Sequence, residues 1–286
     1  MTSFVSERTA FTSRPLASVA RPNAIRDMRP RHAWPVPGLR DEESASIQGG
    51  AWFAGLSEPL HEAILGYARV RQVRAGTRIA QRGDIAASWI GVAGGAVRLG
   101  TALADGRDFT LDFIGPSQWF GDIALIDDKP LDLDVTAHVP STLLIVSKAD
   151  LRRLVDNFAE LGDALLQLNC QRLRHMLRRF EELQTLTLAQ RLARQIQRLM
   201  RQFGRATACG LRIDLALSQA DLAAMVGGSR QRVNRALRQM QARGIVQLGQ
   251  ARLSVMDEGL LDAVAGGKLV LGDAGAEAVA RAASPA

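Results

Sequence analysis

The chain has 286 residues, 47% of them hydrophobic and 23% charged, with a formal net charge of +7. That length allows two domains plus tails, and the composition is that of a globular protein. No run of 18 apolar residues occurs, and the Arg- and Pro-rich start lacks the apolar stretch of a secretory signal, so neither a membrane partner nor export is expected.

Cys170 and Cys209 are the only two cysteines. They fall in separate segments, which argues against a disulfide framework or a self-contained four-cysteine cluster and points to a reduced cytoplasmic setting. Charge is unevenly placed. Residues 51–150 hold nine Lys and Arg against twelve Asp and Glu, a net of −3, whereas residues 187–257 hold twelve Arg against three Asp, a net of +9. A basic C-terminal end of this kind suits a polyanionic partner.

In chain order, residues 1–50 are rich in Arg, Pro and Ser without periodicity and read as a disordered basic arm. "LSEPLHEAILGYA" (56–68) has apolar residues at helical spacing. From 69 to 147 the pattern becomes short strands punctuated by glycine, with Asp105-Gly106 as a hairpin turn. In "RDFTLDFI", Phe109, Leu111 and Phe113 share one face. In "LDLDVTAHV", Leu131, Leu133, Val135 and Ala137 alternate with Asp132, Asp134, Thr136 and His138. Period two over many strands predicts a jelly-roll-like β-roll over 51–150.

A long helix is expected over 151–186. Leu166, Asn169, Leu173, Met176, Phe180 and Leu183 recur at 3-4 spacing, the seam of a two-stranded coiled coil in which a polar Asn would fix register. A second stripe, Phe158, Leu161, Leu165 and Leu168, is placed to pack on the roll. Thr187 with Gln190 is a capping-box signature that starts a new helix near 188, and Gly204 ends it.

"LSQADLAAMVGGSRQRVNRALRQMQARGIVQLGQARLSVMD" (217–257) carries the sharpest signal. Ser218 and Asp221 form a capping box, Gly227-Gly228 a tight turn, and Ser229 a second cap. Val233, Ala236, Leu237 and Met240 face inward. Two short helices joined by a glycine turn, with a small residue at Ala223, predict a helix-turn-helix, and the following hairpin predicts a wing. The second helix turns Arg230, Gln231, Asn234 and Arg235 outward, where they could reach base edges in the major groove. Ser218, Gln219, Ser229 and Arg232 sit where they would meet phosphates. Duplex DNA is therefore the expected partner. The tail, 261–286, is Ala- and Gly-rich and reads as flexible.

Together the roll, the long helix, "GGSRQRVNRAL" and the wing resemble the Crp-Fnr superfamily of bacterial transcription regulators, over roughly residues 51–260. The resemblance implies an α+β protein: an N-terminal β-roll sensor domain, a long dimerisation helix, and a winged helix-turn-helix at 187–260. It also implies a homodimer on a palindromic operator, acting beside RNA polymerase. The family's Ser-Arg-(Glu or Gln) and following Arg fall on Ser229, Arg230, Gln231 and Arg235. A Gln in place of Glu weakens the expectation of a cytosine contact, because a neutral amide both donates and accepts.

In cyclic-nucleotide members a Gly-Glu pair contacts ribose and an Arg-Ser pair holds the phosphate. Gly121-Asp122 matches the first pair, but the second falls on Asp132 and Leu133. A carboxylate about 4 Å from a phosphate repels it by about 4 kcal/mol at an effective dielectric of 20. On the long helix, Met176-Leu177 stands where the family offers adenine-binding hydroxyls. A degenerate effector pocket at Gly121, Asp122, Asp132, Leu133 and Met176 is the resulting expectation. Cyclic AMP is not expected as the signal, and the effector is left unknown, with no cofactor called for.

Scattered histidines (His32, His61, His138, His175) supply no metal-ligand pattern. Cys170, next to the seam, reads as a buried structural thiol, and Asp127-Asp128 as a polar turn. The competing readings are a cyclic-nucleotide-responsive activator, a non-sensing architectural DNA-binding dimer, and a cupin-like enzyme. The last is disfavoured because 69–147 offers only His138 as an imidazole ligand.

Overall fold

Two four-stranded antiparallel sheets face each other in the N-terminal half. The computed structural model describes residues 36–104, 106, 108–207, 210–249 and 252–271. One sheet has the order β1-β8-β3-β6, from β1 (Arg69–Val73), β8 (Ser141–Ser147), β3 (Ser88–Gly94) and β6 (Trp119–Phe120). The other has the order β2-β7-β4-β5, from β2 (Arg78–Ala80), β7 (Asp134–Ala137), β4 (Val97–Ala102) and β5 (Asp108–Ile114). Val92, Val97, Val135 and Leu143, all buried, form part of the core between them. The β4–β5 pairing makes the expected hairpin, but a register shift between Leu99 and Gly100 breaks the expected alternation of β5, so that Thr110 is buried and Phe109 is exposed. Gly106 at its tip has φ 79°, and Asp105 lies outside the described residues.

Helices cover the outer face of the first sheet: α1 (Asp41–Gln48), α2 (Ala51–Ala54), α3 (Glu58–Tyr67) and, after β8, α5 (Lys148–Asn157). The reading of residues 1–50 as a disordered arm is thereby corrected for 36–50. Ile47 and Phe53 are fully buried, each contributing about 1.5–3 kcal/mol. Glu43 accepts from both the backbone N–H (3.0 Å) and the guanidinium (2.7 Å) of Arg40, which closes the start of α1. The segment escaped notice because its few apolar residues meet no partner locally; they are buried against the sheet. Phe53 and Trp119 stack at 5.9 Å, and Trp119 and Trp89 lie 4.3 Å apart. Residues 1–35, with His32, lie outside the described residues.

The expected single helix is two. Phe158, with φ −124°, caps the end of α5 and the start of α6 (Ala159–Thr185). Phe158 itself packs partly into the core, so the break lets both helices follow the roll. Leu161 and Leu165 are buried there as expected, and Leu168 is half-buried. A further short helix, α4 (Asp122–Ile126), follows Gly121 in the cassette, and Asp128 at its end is held by Arg152 at 2.8 Å.

The C-terminal half comprises α7 (Leu188–Phe203), α8 (Gln219–Val226), α9 (Arg230–Ala242), α10 (Glu258–Ala265) and a sheet of order β11-β12-β10-β9. The wing is β11 (Val246–Leu248) with β12 (Leu253–Val255), extended by β10 (Gly210–Ile213) and β9 (Gly204–Thr207). The Thr187–Gln190 capping box starts α7 as expected. The flexible-tail reading is corrected for 261–271. Leu261 and Val264 of α10 are buried against α7, and the Asp257 side chain accepts from Leu260 N–H at 2.8 Å. Ala and Gly around them mask this helical spacing in the sequence. Residues 272–286 and Cys209 lie outside the described residues.

The two halves meet through a buried cluster. Phe113 of the roll is fully buried among α7 and α8 side chains, and α8 packs on β5. Gly115 permits this approach, since a Cβ there would meet the Phe203 ring at 2.5 Å.

Candidate nucleic-acid interface and sensor pocket

The helix-turn-helix is built from its caps. The Ser218 hydroxyl accepts from Asp221 N–H (3.0 Å), while Asp221 accepts from Ser218 N–H (2.8 Å) and its hydroxyl (2.6 Å). Two otherwise unmatched donors at the start of α8 are thus satisfied reciprocally. Gly227, at φ 64°, takes the left-handed conformation that ends α8 and turns the chain. Ser229 accepts from Arg232 N–H at 3.3 Å and starts α9. Leu222, Ala223 and Val226 bury one face of α8, and Val233, Ala236, Leu237 and Met240 one face of α9.

Burial of that face leaves the opposite one in solvent. Arg230, Gln231, Arg232 and Arg235 are exposed, and Arg230, Gln231 and Arg235 have no hydrogen-bond or ion-pair partner among the described residues. Asn234 differs from expectation. It is half-buried, and its carbonyl oxygen accepts from Gln219 Nε2 at 3.1 Å. The pair ties α8 to α9. Ser218 and Ser229 likewise cap helices. Of the residues expected at phosphates, Arg232 alone presents an exposed cation.

Sequence reasoning missed Arg191. Its guanidinium donates to the Leu186 carbonyl (2.8 Å), at the joint between α6 and α7, and to the Val226 carbonyl (3.0 Å) at the end of α8. Burial, together with the nearby Arg232 cation, holds it below the usual arginine pKa. No local pattern marks it, because both partners are backbone oxygens brought in by the tertiary fold.

In the sensor cassette, Gly121 has φ 93° and Asp122 is fully buried. Both carboxylate oxygens are taken up by α6: Asn169 Nδ2 donates at 2.7 Å, and Arg172 Nη1 at 2.8 and 3.0 Å. Arg172 also donates to the Trp119 carbonyl. The expectation of Asn169 as a polar seam residue is therefore corrected: its amide is committed within its own chain. Asp132 and Leu133 lie in a bend before β7 rather than in the strand, with Asp132 exposed and without a partner among the described residues. Exposure screens Asp132, so the missing arginine outweighs the repulsion counted from sequence.

Met176 is corrected twice. It is half-buried and lines a different cavity, beside Asp112 and Gln118, so it belongs neither to the cassette nor to an exposed seam. The exposed face of α6 instead carries Leu166, Leu173, Leu177 and Phe180, which are 59–65% exposed; Cys170 between them is exposed too, which corrects its expected burial, because among the described residues nothing packs on that face. Leu183 is 48% exposed but turns toward the Gly227 turn.

A β-roll joined by a long helix to a winged helix-turn-helix with an arginine-bearing exposed face defines a DNA-binding regulator. Comparison with known proteins agrees. Residues 70–158 match the cyclic nucleotide-binding domain, and residues 190–264 the Crp-like helix-turn-helix domain. The chain is 29% identical over 163 residues to the CRP-like cAMP-activated global transcriptional regulator of Mycobacterium tuberculosis, covering 57% of this chain and 73% of that one. It is 28% identical over 221 residues to the cyclic AMP receptor protein of Thermus thermophilus, covering 77% and 99%. Among solved structures it resembles FixK2 from Bradyrhizobium japonicum, with a TM-score of 0.62 and 23% identity over 69% of this chain and 96% of that one.

The chain belongs to the Crp-Fnr superfamily. Its domains and relatives are those of transcription regulators and not of enzymes. No helix among the described residues is long and apolar enough to cross a membrane.

Proposed function

We propose that this regulator binds a palindromic operator as a homodimer and that its roll does not take cyclic AMP as its signal. The exposed end of α9 carries the DNA half of this reading. Arg230, Gln231 and Arg235 are exposed on a helix whose other face is buried, and the caps at Ser218 and Ser229 fix that helix in place. An arginine fork matches guanine O6 and N7, and glutamine matches adenine. Arg232 supplies phosphate attraction. Two such helices suit half-sites about 34–36 Å apart. RNA polymerase and a cytoplasmic setting follow from the same reading.

For the dimer, Leu166, Cys170, Leu173, Leu177 and Phe180 fall at alternating spacings of four and three on the exposed face of α6. Exposed Ile123 (57%) and Ile126 (61%) of α4 add apolar surface to the roll. Contiguous exposed apolar surface of this kind marks an association face. Burying each of these side chains against a partner contributes about 1.5–3 kcal/mol.

The second reading, a cyclic-AMP-responsive activator, is favoured by what the Mycobacterium tuberculosis and Thermus thermophilus relatives are called. Asp132 stands against it, because a cyclic phosphate there meets a carboxylate instead of a guanidinium fork.

The test is selection of duplexes by the purified protein, followed by sedimentation of the complex. A palindrome bound by two chains, far more tightly than random duplex, is expected. A single chain per site, or equal affinity for random DNA, refutes the reading.

A further inference from the structure

A cavity of about 600 Å³ lies where the roll, α6, α7 and α10 meet. Five guanidiniums line it: Arg178 and Arg179 from α6, and Arg194, Arg198 and Arg201 from α7. Against these five cations its walls offer three carboxylates, those of Asp112, Glu182 and Asp262. Glu182, its side chain 10% exposed, is already shared by Arg194 (3.2 Å) and Arg198 (2.9 Å). Arg179, its side chain 14% exposed, pairs with Asp112 at 4.0 Å and donates to the Leu111 carbonyl. Asp262 accepts from Gln197 at 2.6 Å.

Arg178 and Arg201 are exposed and have neither a hydrogen bond nor an ion pair among the described residues. The excess positive charge is felt locally. Partial burial and the cations of Arg178, Arg198 and Arg201 hold the His175 imidazole below its usual pKa, despite the opposing pull of Asp112.

We infer that this cavity binds a small polyanion of nucleotide size that carries phosphate groups. Its volume is that of a small-molecule site. Converging arginines are suited to phosphate, because each planar fork offers two parallel N–H donors to adjacent oxygens and stays charged at any physiological pH. Gln118 and Gln202, hydrogen-bonded to each other from the roll and from α7, add amide groups to the wall beside the arginines.

This site is separate from the Gly121–Asp122 cassette, and its residues Arg178, Arg179 and Glu182 point away from the Leu173–Phe180 stripe, so pairing of α6 with a second copy leaves it open. An anion held there touches the roll, α6 and α7 at once. The inference concerns the free protein and stands whether or not the operator reading holds.

The experiment is calorimetric titration of the full chain, without DNA, at constant ionic strength, with inorganic tripolyphosphate, ATP and citrate in separate arms. Saturable binding of tripolyphosphate or ATP at one site per chain is expected, with citrate weaker. The Arg178→Gln/Arg201→Gln variant removes two guanidiniums that hold no hydrogen bond or ion pair among the described residues and should weaken binding about tenfold or more, as expected for lost charge-assisted hydrogen bonds. Arg232→Gln should leave it unchanged. The His175 ring proton signal, followed by NMR, should titrate at higher pH with ligand bound.

ATP binding more tightly than tripolyphosphate identifies a nucleotide, and equal affinity identifies the phosphate chain itself; both support the site. Unaltered binding in the double variant, loss in Arg232→Gln, equal binding of citrate, or no saturation overturns it.

Discussion

The guanidinium of Arg191 lies 3.0 Å from the carbonyl oxygen of Val226, and a second of its nitrogens reaches back to Leu186. A single side chain near the start of α7 thus joins the end of the long helix to the end of α8, next to the turn that sets the recognition helix. Replacing Arg191 with Met keeps the apolar stem and removes the donors. Loss of these half-exposed bonds should cost about 1–2 kcal/mol, read as a lower midpoint in urea. Operator affinity should fall with it, without a change in base preference.

Arg230 and Arg232 stand two residues apart on the same exposed helix end, and their roles separate experimentally. Arg230→Ala should relax base preference at one position of each half-site, at about 1–3 kcal/mol. Arg232→Ala should weaken all duplexes alike and reduce the slope of log affinity against log salt by about one. Binding measured over a salt series with mutated operators distinguishes them. Identical behaviour of the two variants refutes the assignment.

At the cassette, cyclic AMP should leave the melting temperature of the wild-type protein unchanged. Asp132→Arg combined with Leu133→Ser places a guanidinium and a hydroxyl at the phosphate position. That double variant should gain a concentration-dependent stabilisation by cyclic AMP, since ligand that binds only the folded state raises its stability. Micromolar stabilisation of the wild type would restore the second reading.

Cys170 reports on chain pairing. In a parallel, in-register pair of α6 helices it faces its own copy. Mild oxidation of a Cys209→Ser variant should then give a covalent dimer on a non-reducing gel, and further substitution of Cys170→Ser should abolish it. Leu173→Glu with Phe180→Glu should yield a folded monomer by sedimentation. A persistent dimer in that variant places the interface elsewhere.

Glu43 gives an acid-limb test. Burial pushes its carboxyl up, but the hydrogen bonds from Arg40 and Thr142 outweigh this and hold its pKa below the ordinary 4.5. A lowered folded-state pKa means stability that is present above the unfolded value and lost as pH falls through the folded one. Stability measured from pH 7 downward should therefore fall below about pH 4.5 in the wild type, and Glu43→Gln should be less stable at pH 7 with a shallower acid limb.

Local patterns carried much of the architecture. The boxes at Thr187–Gln190 and Ser218–Asp221, Gly227 in the turn and the alternation in β7, where Val135 and Ala137 are buried, act over three to eight residues, and a cap or a pleat needs no distant partner to be recognised. The exposed arginines of α9 were legible for the same reason: the buried face of an amphipathic helix names the other one.

The tertiary structure decided what depends on residues far apart. Asn169 looked like a coiled-coil seam residue until Asp122, 47 positions away, claimed its amide. Met176 was turned inward by the docking of α7, and the exposed stripe shifted to Leu166, Cys170, Leu173, Leu177 and Phe180. Helix α1 and helix α10 exist because Ile47, Leu261 and Val264 find surfaces that their own segments lack. The arginine-lined cavity between α6 and α7 has no sequence signature at all. Periodicity assigns a residue to a face of its element, whereas only the packing of elements decides what that face meets.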